Sequence, residues 1–243
     1  MPFEESSVSI VDKGIKNLDH LKKFPKITKK ITLAHNRIKV IPLDFILYFR
    51  SITHLNLTRN KIQDIPSEFG QLIQLKYLNL SGNRIEVLPS SIGNLIQLLY
   101  FDLSENKLKD LPKNLFGLTK LNHLHLSDNQ ISLLPKDLGN LKELKVLALR
   151  DNLISEIDVE LLMQLSALVE LHLQGNKINY LPPDTISLCP NKRSGLNIFY
   201  LSGNPWILPI EEILDDKYYE LDTLLRYCQS PAYKIIYGRR NRK

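Results

Sequence analysis

The sequence predicts an α/β solenoid: about eight short parallel strands on a concave face, short 3₁₀ or single-turn α segments on the convex face, and a helical C-terminal cap. Three observations predict it. Asparagine recurs at positions 36, 60, 83, 106, 129, 152, 176 and 204, in steps of 24, 23, 23, 23, 23, 24 and 28 residues. Each asparagine follows by three residues a leucine that closes a short run of alternating apolar and other side chains. Proline stands six residues after six of the eight, at Pro42, Pro66, Pro89, Pro112, Pro135 and Pro182.

A period of 20–29 residues with the pattern L-x-x-L-x-L-x-x-N-x-I/L is that of a leucine-rich repeat. The third unit reads Leu75, Leu78, Leu80, Asn83, Ile85, Leu88, Pro89, Ile92 and Leu95, and the units containing Asn106 and Asn129 repeat it position by position. Within each unit the L-x-L spacing has period 2, so the two leucines share one face and the residues between them share the other. Such a strand buries its apolar face only by stacking on the next unit, and eight stacked strands at about 4.8 Å make a ladder roughly 35–40 Å long. The asparagine follows where the chain leaves the sheet; its amide donates and accepts, which suits it to satisfy backbone groups of its own turn and of the neighbouring coil. Proline then opens a short helical turn, because the N–H it lacks is not needed at a helix start. Gly70, Gly93 and Gly139 fall where adjacent backbones approach closely.

A solenoid needs both ends covered. Residues 1–26 read as an N-terminal cap, with Val8, Ile10, Ile15 and Leu18 forming a degenerate half-repeat turned by Gly14. The repeats occupy 27–204, and 205–238 forms the C-terminal cap. There Trp206 seals the last unit, and Ile210, Ile213, Leu214, Leu221, Leu224, Leu225 and Cys228 have helical spacing, with Asp215 and Asp216 near a helix start. Residues 239–243 are a basic tail. Two units depart from the rule: the sixth carries Asp158 where proline is expected, and the seventh has a lengthened return around 191–195, a place where binding loops occur.

Composition removes several functional classes. The chain has 32 Lys and Arg against 26 Asp and Glu, and four of the six net positive charges lie in the last five residues. The basic balance is therefore a property of the tail, read as a solvated end, and no nucleic-acid partner is expected. No apolar run approaches the roughly 20 residues of a membrane span. Met1-Pro2-Phe3-Glu4-Glu5 lacks the basic and apolar regions of a signal peptide. Only two cysteines, Cys189 and Cys228, are present and they are not clustered, which fits a reducing compartment. The expectation is an intracellular, soluble protein. The sequons Asn56-Leu57-Thr58 and Asn79-Leu80-Ser81 fall inside strands and read as chance matches.

Function belongs to side chains the core does not use, the two positions flanking the central apolar residue of each strand. The first column reads Lys30, His54, Tyr77, Tyr100, His123, Val146, Glu170 and Ile198; the second reads Thr32, Asn56, Asn79, Asp102, His125, Ala148, His172 and Tyr200. Four of the six histidines and three tyrosines lie in these columns, with Lys30 their one lysine. Tyrosine enrichment with lysine depletion marks the core of a protein-binding surface. The candidate partner-binding residues are therefore Lys30, His54, Asn56, Tyr77, Asn79, Tyr100, Asp102, His123, His125, Glu170, His172 and Tyr200. A metal site from His123, His125, His172 and Asp102 fails on spacing, because His172 stands two strands from His125, roughly 10 Å away. A Cys/His nucleophile fails because both cysteines lie off the concave face. The sequence holds no Gly-rich phosphate loop, H-E-x-x-H or G-x-S-x-G. Neither an enzyme nor a cofactor is expected.

The 23-residue form with Leu88-Pro89-Ser90-Ser91-Ile92-Gly93-Asn94-Leu95 resembles the intracellular Ras-group leucine-rich repeats. Val11-Asp12-Lys13-Gly14-Ile15, Leu149-Arg150-Asp151-Asn152, Glu170-Leu171-His172-Leu173-Gln174-Gly175-Asn176, Asn204-Pro205-Trp206 and Tyr233-Lys234-Ile235-Ile236-Tyr237-Gly238-Arg239 are similar to segments of the Ras suppressor protein family. The resemblance spans nearly the whole chain. It implies a cytoplasmic adaptor at integrin adhesions, a PINCH-type LIM-only adaptor as partner in the complex with integrin-linked kinase and parvin, and a link to Ras signalling. The repeat subgroup also points to a second reading, direct binding of a Ras-type GTPase.

Overall fold

The computed structural model describes residues 6–188, 196–215 and 221–240. Nine strands of these residues pair in chain order into one parallel sheet: β1 (Ser7–Ser9), β2 (Lys30–Thr32), β3 (His54–Asn56), β4 (Tyr77–Asn79), β5 (Tyr100–Asp102), β6 (His123–His125), β7 (Val146–Ala148), β8 (Glu170–His172) and β9 (Ile198–Tyr200). The central residue of each strand from β2 to β8 is buried, Leu55, Leu78, Leu124 and Leu147 completely, which fixes the other two positions on the open face. The register pairs Lys30 with His54, His54 with Tyr77, Tyr77 with Tyr100 and Tyr100 with His123, matching the columns read from the sequence.

The sheet, read as about eight strands, holds nine among the described residues. The extra strand comes from the N-terminal cap, where Ser7-Val8-Ser9 pairs with Lys30-Ile31-Thr32 and buries Val8. The cap behaves as a coil in its own right, since the Asn36 side-chain oxygen accepts from the Lys13 and Ile15 amides and its amide donates to the Ile10 carbonyl.

The ladder asparagines bind coil to coil. Asn106 is typical: its oxygen accepts from the Ile85 amide of the preceding coil at 3.0 Å, and its Nδ2 donates to Leu80 O of that coil (3.0 Å), Leu103 O (2.9 Å) and Ser104 O (3.1 Å). All eight are buried, and each spans two coils in this way, so none of the eight ladder side chains is left without a partner.

The convex face carries α1 (Leu43–Tyr48), α2 (Val159–Gln164) and 3₁₀ turns at Asp19–Lys23, Ser67–Gln71, Ser90–Asn94, Lys113–Gly117, Lys136–Asn140 and Pro183–Leu188. At the four middle turns the proline carbonyl accepts the first turn bond, as from Phe69 N to Pro66 at 3.0 Å and Ile92 N to Pro89 at 3.1 Å. The irregular sixth unit has a local explanation. Asp158 takes the place of proline, its carboxylate accepts from the Leu161 amide at 3.0 Å, and the segment after it is α-helical where its neighbours are 3₁₀. At Gly70 and Gly93 an added Cβ would run into the carbonyl oxygens of Ser91 and Asn114, so adjacent turns touch through bare backbone.

Three helices close the far end: α3 (Ile210–Asp215), α4 (Leu221–Gln229) and α5 (Pro231–Arg240). Trp206 is buried and donates from Nε1 to Leu201 O at 3.0 Å. Two expectations shift here. Asp215 is the last described residue of α3, five residues past its start, and α5 carries the chain through Arg239 and Arg240, so the cap reaches into the segment read as a basic tail. The expected loop at 191–195, Cys189, Asp216 and the last three residues lie outside the described residues. Among those described, no helix is long and apolar enough to cross a membrane.

Candidate protein-binding face

Parallel pairing in register places equivalent side chains of successive coils one strand spacing apart, about 4.8 Å. Aromatic rings at the same position must then meet. His54 and Tyr77 stack with 5.9 Å between ring centres, Tyr77 and Tyr100 with 4.4 Å, and Tyr100 lies 5.9 Å from His123 and 5.2 Å from His125. Five of the candidate residues thus form one continuous aromatic strip over β3 to β6. Each is half-buried, because one ring covers part of the next.

The strip stops at β7, where Val146 and Ala148 carry no ring or polar head. Beyond it stands a second, smaller group. His172 packs edge-on against Tyr200 at 5.1 Å, and its Nε2 lies 3.5 Å from a Glu170 oxygen. That contact is an ion pair only when the ring is protonated; the buried Nε2 makes no hydrogen bond. Lys30 is exposed at the N-terminal edge beside His54. The face therefore brings His54, Tyr77, Tyr100, His123 and His125 together, and sets Glu170, His172 and Tyr200 apart.

Asn56, Asn79 and Asp102 have an internal task that the sequence reading missed. Their oxygens accept from the amides of Thr58, Ser81 and Ser104, two residues on, each at 2.9 Å, and Asn56 and Asn79 also accept from the Thr58 and Ser81 hydroxyls at 2.7 Å. These are Asx turns ending the strands. The signal was present as Asn/Asp-Leu-Ser/Thr in three consecutive units. Asn79 then donates to Asp102 at 3.1 Å, and the Tyr100 hydroxyl donates to the same carboxylate oxygen at 3.4 Å, so Asp102 anchors the middle of the strip.

Electrostatics follow burial. Burial, reinforced by the Asp102 carboxylate and by Tyr77, pushes the Tyr100 hydroxyl well above the ordinary tyrosine range, so it stays a neutral donor. Burial pulls His125 below the ordinary histidine value, with Asp102 opposing the shift and His123 and His172 adding to it. The strip is thus an aromatic surface with one carboxylate anchoring its middle. Among the described residues, no three His, Cys, Asp or Glu side chains are grouped to hold a metal ion.

The family model for the leucine-rich repeat region matches residues 31–180. The chain belongs to the leucine-rich repeat family. Its fold is similar to an internalin (inlF) of Listeria monocytogenes, with a TM-score of 0.70 at 25% identity over 84% of this chain and 56% of that one. It is also similar to internalin C2 of the same organism, with a TM-score of 0.67 at 26% identity over 81% and 79%. A leucine-rich repeat protein of Leptospira interrogans shares the fold at a TM-score of 0.58 and 24% identity, over 86% of this chain and 64% of that one. The chain thus spans little more than half of the first internalin's length. No curated protein gives a significant match. Leucine-rich repeat domains are in general interaction modules that bind protein partners, and the concave strip sits where this repeat protein has side chains to spare.

Proposed function

We propose that this leucine-rich repeat protein is a non-catalytic adaptor that grips a folded protein partner against its concave face. The observation that carries the reading is the unbroken stack from His54 through Tyr77 and Tyr100 to His123 and His125. Exposed aromatic area of this extent on a sheet is a solubility burden unless a partner covers it. Pre-stacked rings also lose little further freedom on binding.

The resemblance to the Ras suppressor protein family supports a finer reading: a cytoplasmic protein at cell–matrix adhesions whose partner is a PINCH-type LIM-only adaptor, in the complex with integrin-linked kinase and parvin, with modulation of Ras signalling as the outcome. The purified protein is titrated calorimetrically with isolated LIM domains of a PINCH-type adaptor, and separately with a Ras-type GTPase loaded with GDP or a GTP analogue. Saturable binding of a LIM domain supports the reading. Binding of the GTPase alone, in the GTP-analogue state only, supports direct GTPase regulation instead. Binding of neither removes both partner assignments.

A further inference from the structure

The flank between sheet and convex turns carries a second pattern, independent of the concave strip. Four residues past each of the first six ladder asparagines the successive coils present Val40, Asp64, Val87, Asp110, Leu133 and Glu156. Apolar and acidic side chains alternate strictly over six coils. All six are exposed: Val40, Val87 and Leu133 are 65%, 73% and 75% exposed, among the most exposed large apolar residues described. The three acidic members are exposed as well. Other positions of the repeat that need no core burial do not alternate; one residue earlier the order is Lys39, Gln63, Glu86, Lys109, Ser132 and Ser155. Between the coils lie clefts, one of about 370 Å³ flanked by Val87 and Asp110 and one of about 440 Å³ flanked by Leu133 and Glu156. At one step of the flank the backbone pairs directly, Asp64 in parallel with Val87.

We propose that this row is a docking rail for an amphipathic helix of a partner protein bearing apolar and basic residues in heptad spacing. Equivalent apolar side chains on the rail stand two coils apart, about 10 Å. Seven residues of α-helix rise about 10.5 Å, so a helix lying along the rail presents a residue at i, i+7 and i+14 to Val40, Val87 and Leu133 in turn. The acidic side chains stand one coil further, about 4.8 Å. A helix position at i+3 rises about 4.5 Å and lies on the same face, so it meets Asp64, and its heptad repeats meet Asp110 and Glu156. An extended strand repeats every two residues at about 6.6–6.8 Å and falls out of step with both rows. The charge of the occupant follows from the row, which holds three carboxylates and no cation.

The test uses a fluorescently labelled, helix-stabilised synthetic peptide with leucine at i, i+7 and i+14, arginine at i+3, i+10 and i+17, and alanine or glutamine elsewhere. Its anisotropy is followed against the full chain at low and high salt. The expected result is saturable binding that weakens with salt and falls at least tenfold for the double substitution Val87→Lys with Leu133→Lys. Both residues are exposed, so the melting temperature should hold and exclude unfolding. Restoration of binding to that variant by a peptide with glutamate at i+7 and i+14 would support the register. The proposal is overturned if a shuffled peptide of the same composition binds equally, if the double substitution leaves affinity unchanged, or if Tyr100→Ala with His123→Ala abolishes binding while the flank substitutions do not. The last outcome would place the peptide on the concave strip, so failure here is separable from failure of the adaptor reading.

Discussion

Tyr77 and Tyr100 stack nearly parallel, 4.4 Å between ring centres and 8° between ring planes. The parallel register that puts residue 77 opposite residue 100 makes this contact unavoidable once both are tyrosine. Each ring restricts the other, so the ordering of two large side chains is completed on folding and adds little to the entropy lost on association. Flanking histidines extend the same stack to four strands. A surface built this way offers rigid, amphipathic area, the kind of residue on which binding energy concentrates.

The asparagine ladder should behave as a set of inter-coil rivets. Asn106→Ala removes an acceptor from Ile85 N and a donor shared by Leu80 O, Leu103 O and Ser104 O, the first three buried between two coils and the last partly so. Leaving one buried polar group unpaired costs about 1–3 kcal/mol, so the loss expected is at least about 3 kcal/mol. Urea unfolding measures it. A loss below about 1 kcal/mol would mean the coils are held together by leucine packing alone.

Besides Trp206, the C-terminal cap is tied to the last repeats through Tyr233. The Tyr233 hydroxyl accepts from Leu181 N at 3.0 Å and donates to Leu181 O at 2.8 Å, across 52 residues of chain. Tyr233→Phe keeps the ring and strands both groups, so a destabilisation of about 1–3 kcal/mol is expected. The same variant should expose Cys228, whose thiol is fully buried and pushed up to about 12 mainly by burial. Site-resolved iodoacetamide labelling at pH 8 should find Cys228 inert in the parent and slowly reactive in the variant.

His125 makes stability depend on pH in a stated direction. Burial holds it below the ordinary value of 6.5, against the pull of Asp102 on β5 and Glu170 on β8 and with the push of His123 and His172. The unfolded chain therefore takes up this proton first. The contribution of the neutral ring is complete above pH 6.5 and is lost as pH falls through the depressed folded value. Thermal melts from pH 8 to 5 should show the parent losing more stability than His125→Gln across that range. Parallel curves would show that His125 titrates normally.

The sheet was legible because period 2 within a unit and a 23-residue step between units together set the register, and the columns of the concave face followed. The ninth strand was not, because Ser7-Val8-Ser9 offers one apolar residue and no asparagine of its own. Helix α5 was hidden for a similar reason: Lys234, Gly238 and Arg239 interrupt any apolar face, and only docking through Tyr233 gives the helix a role in the cap. The Asx turns of Asn56, Asn79 and Asp102 were written plainly in the serine or threonine two residues on. They went unread because two of those triplets also spell a glycosylation sequon. The division of the concave face at Val146 and Ala148 was visible in the columns, but the contact of Tyr100 with both histidines of β6 needed ring positions.

The central claim is that the aromatic strip is where a folded partner is held. The most direct measurement is calorimetric titration of a PINCH-type LIM domain into the parent and into Tyr100→Ala, with melting curves of both. Loss of a central aromatic anchor should cost about 2 kcal/mol or more of binding, roughly a 30-fold rise in Kd, with the fold retained. A LIM domain that binds both proteins with equal affinity would contradict the account.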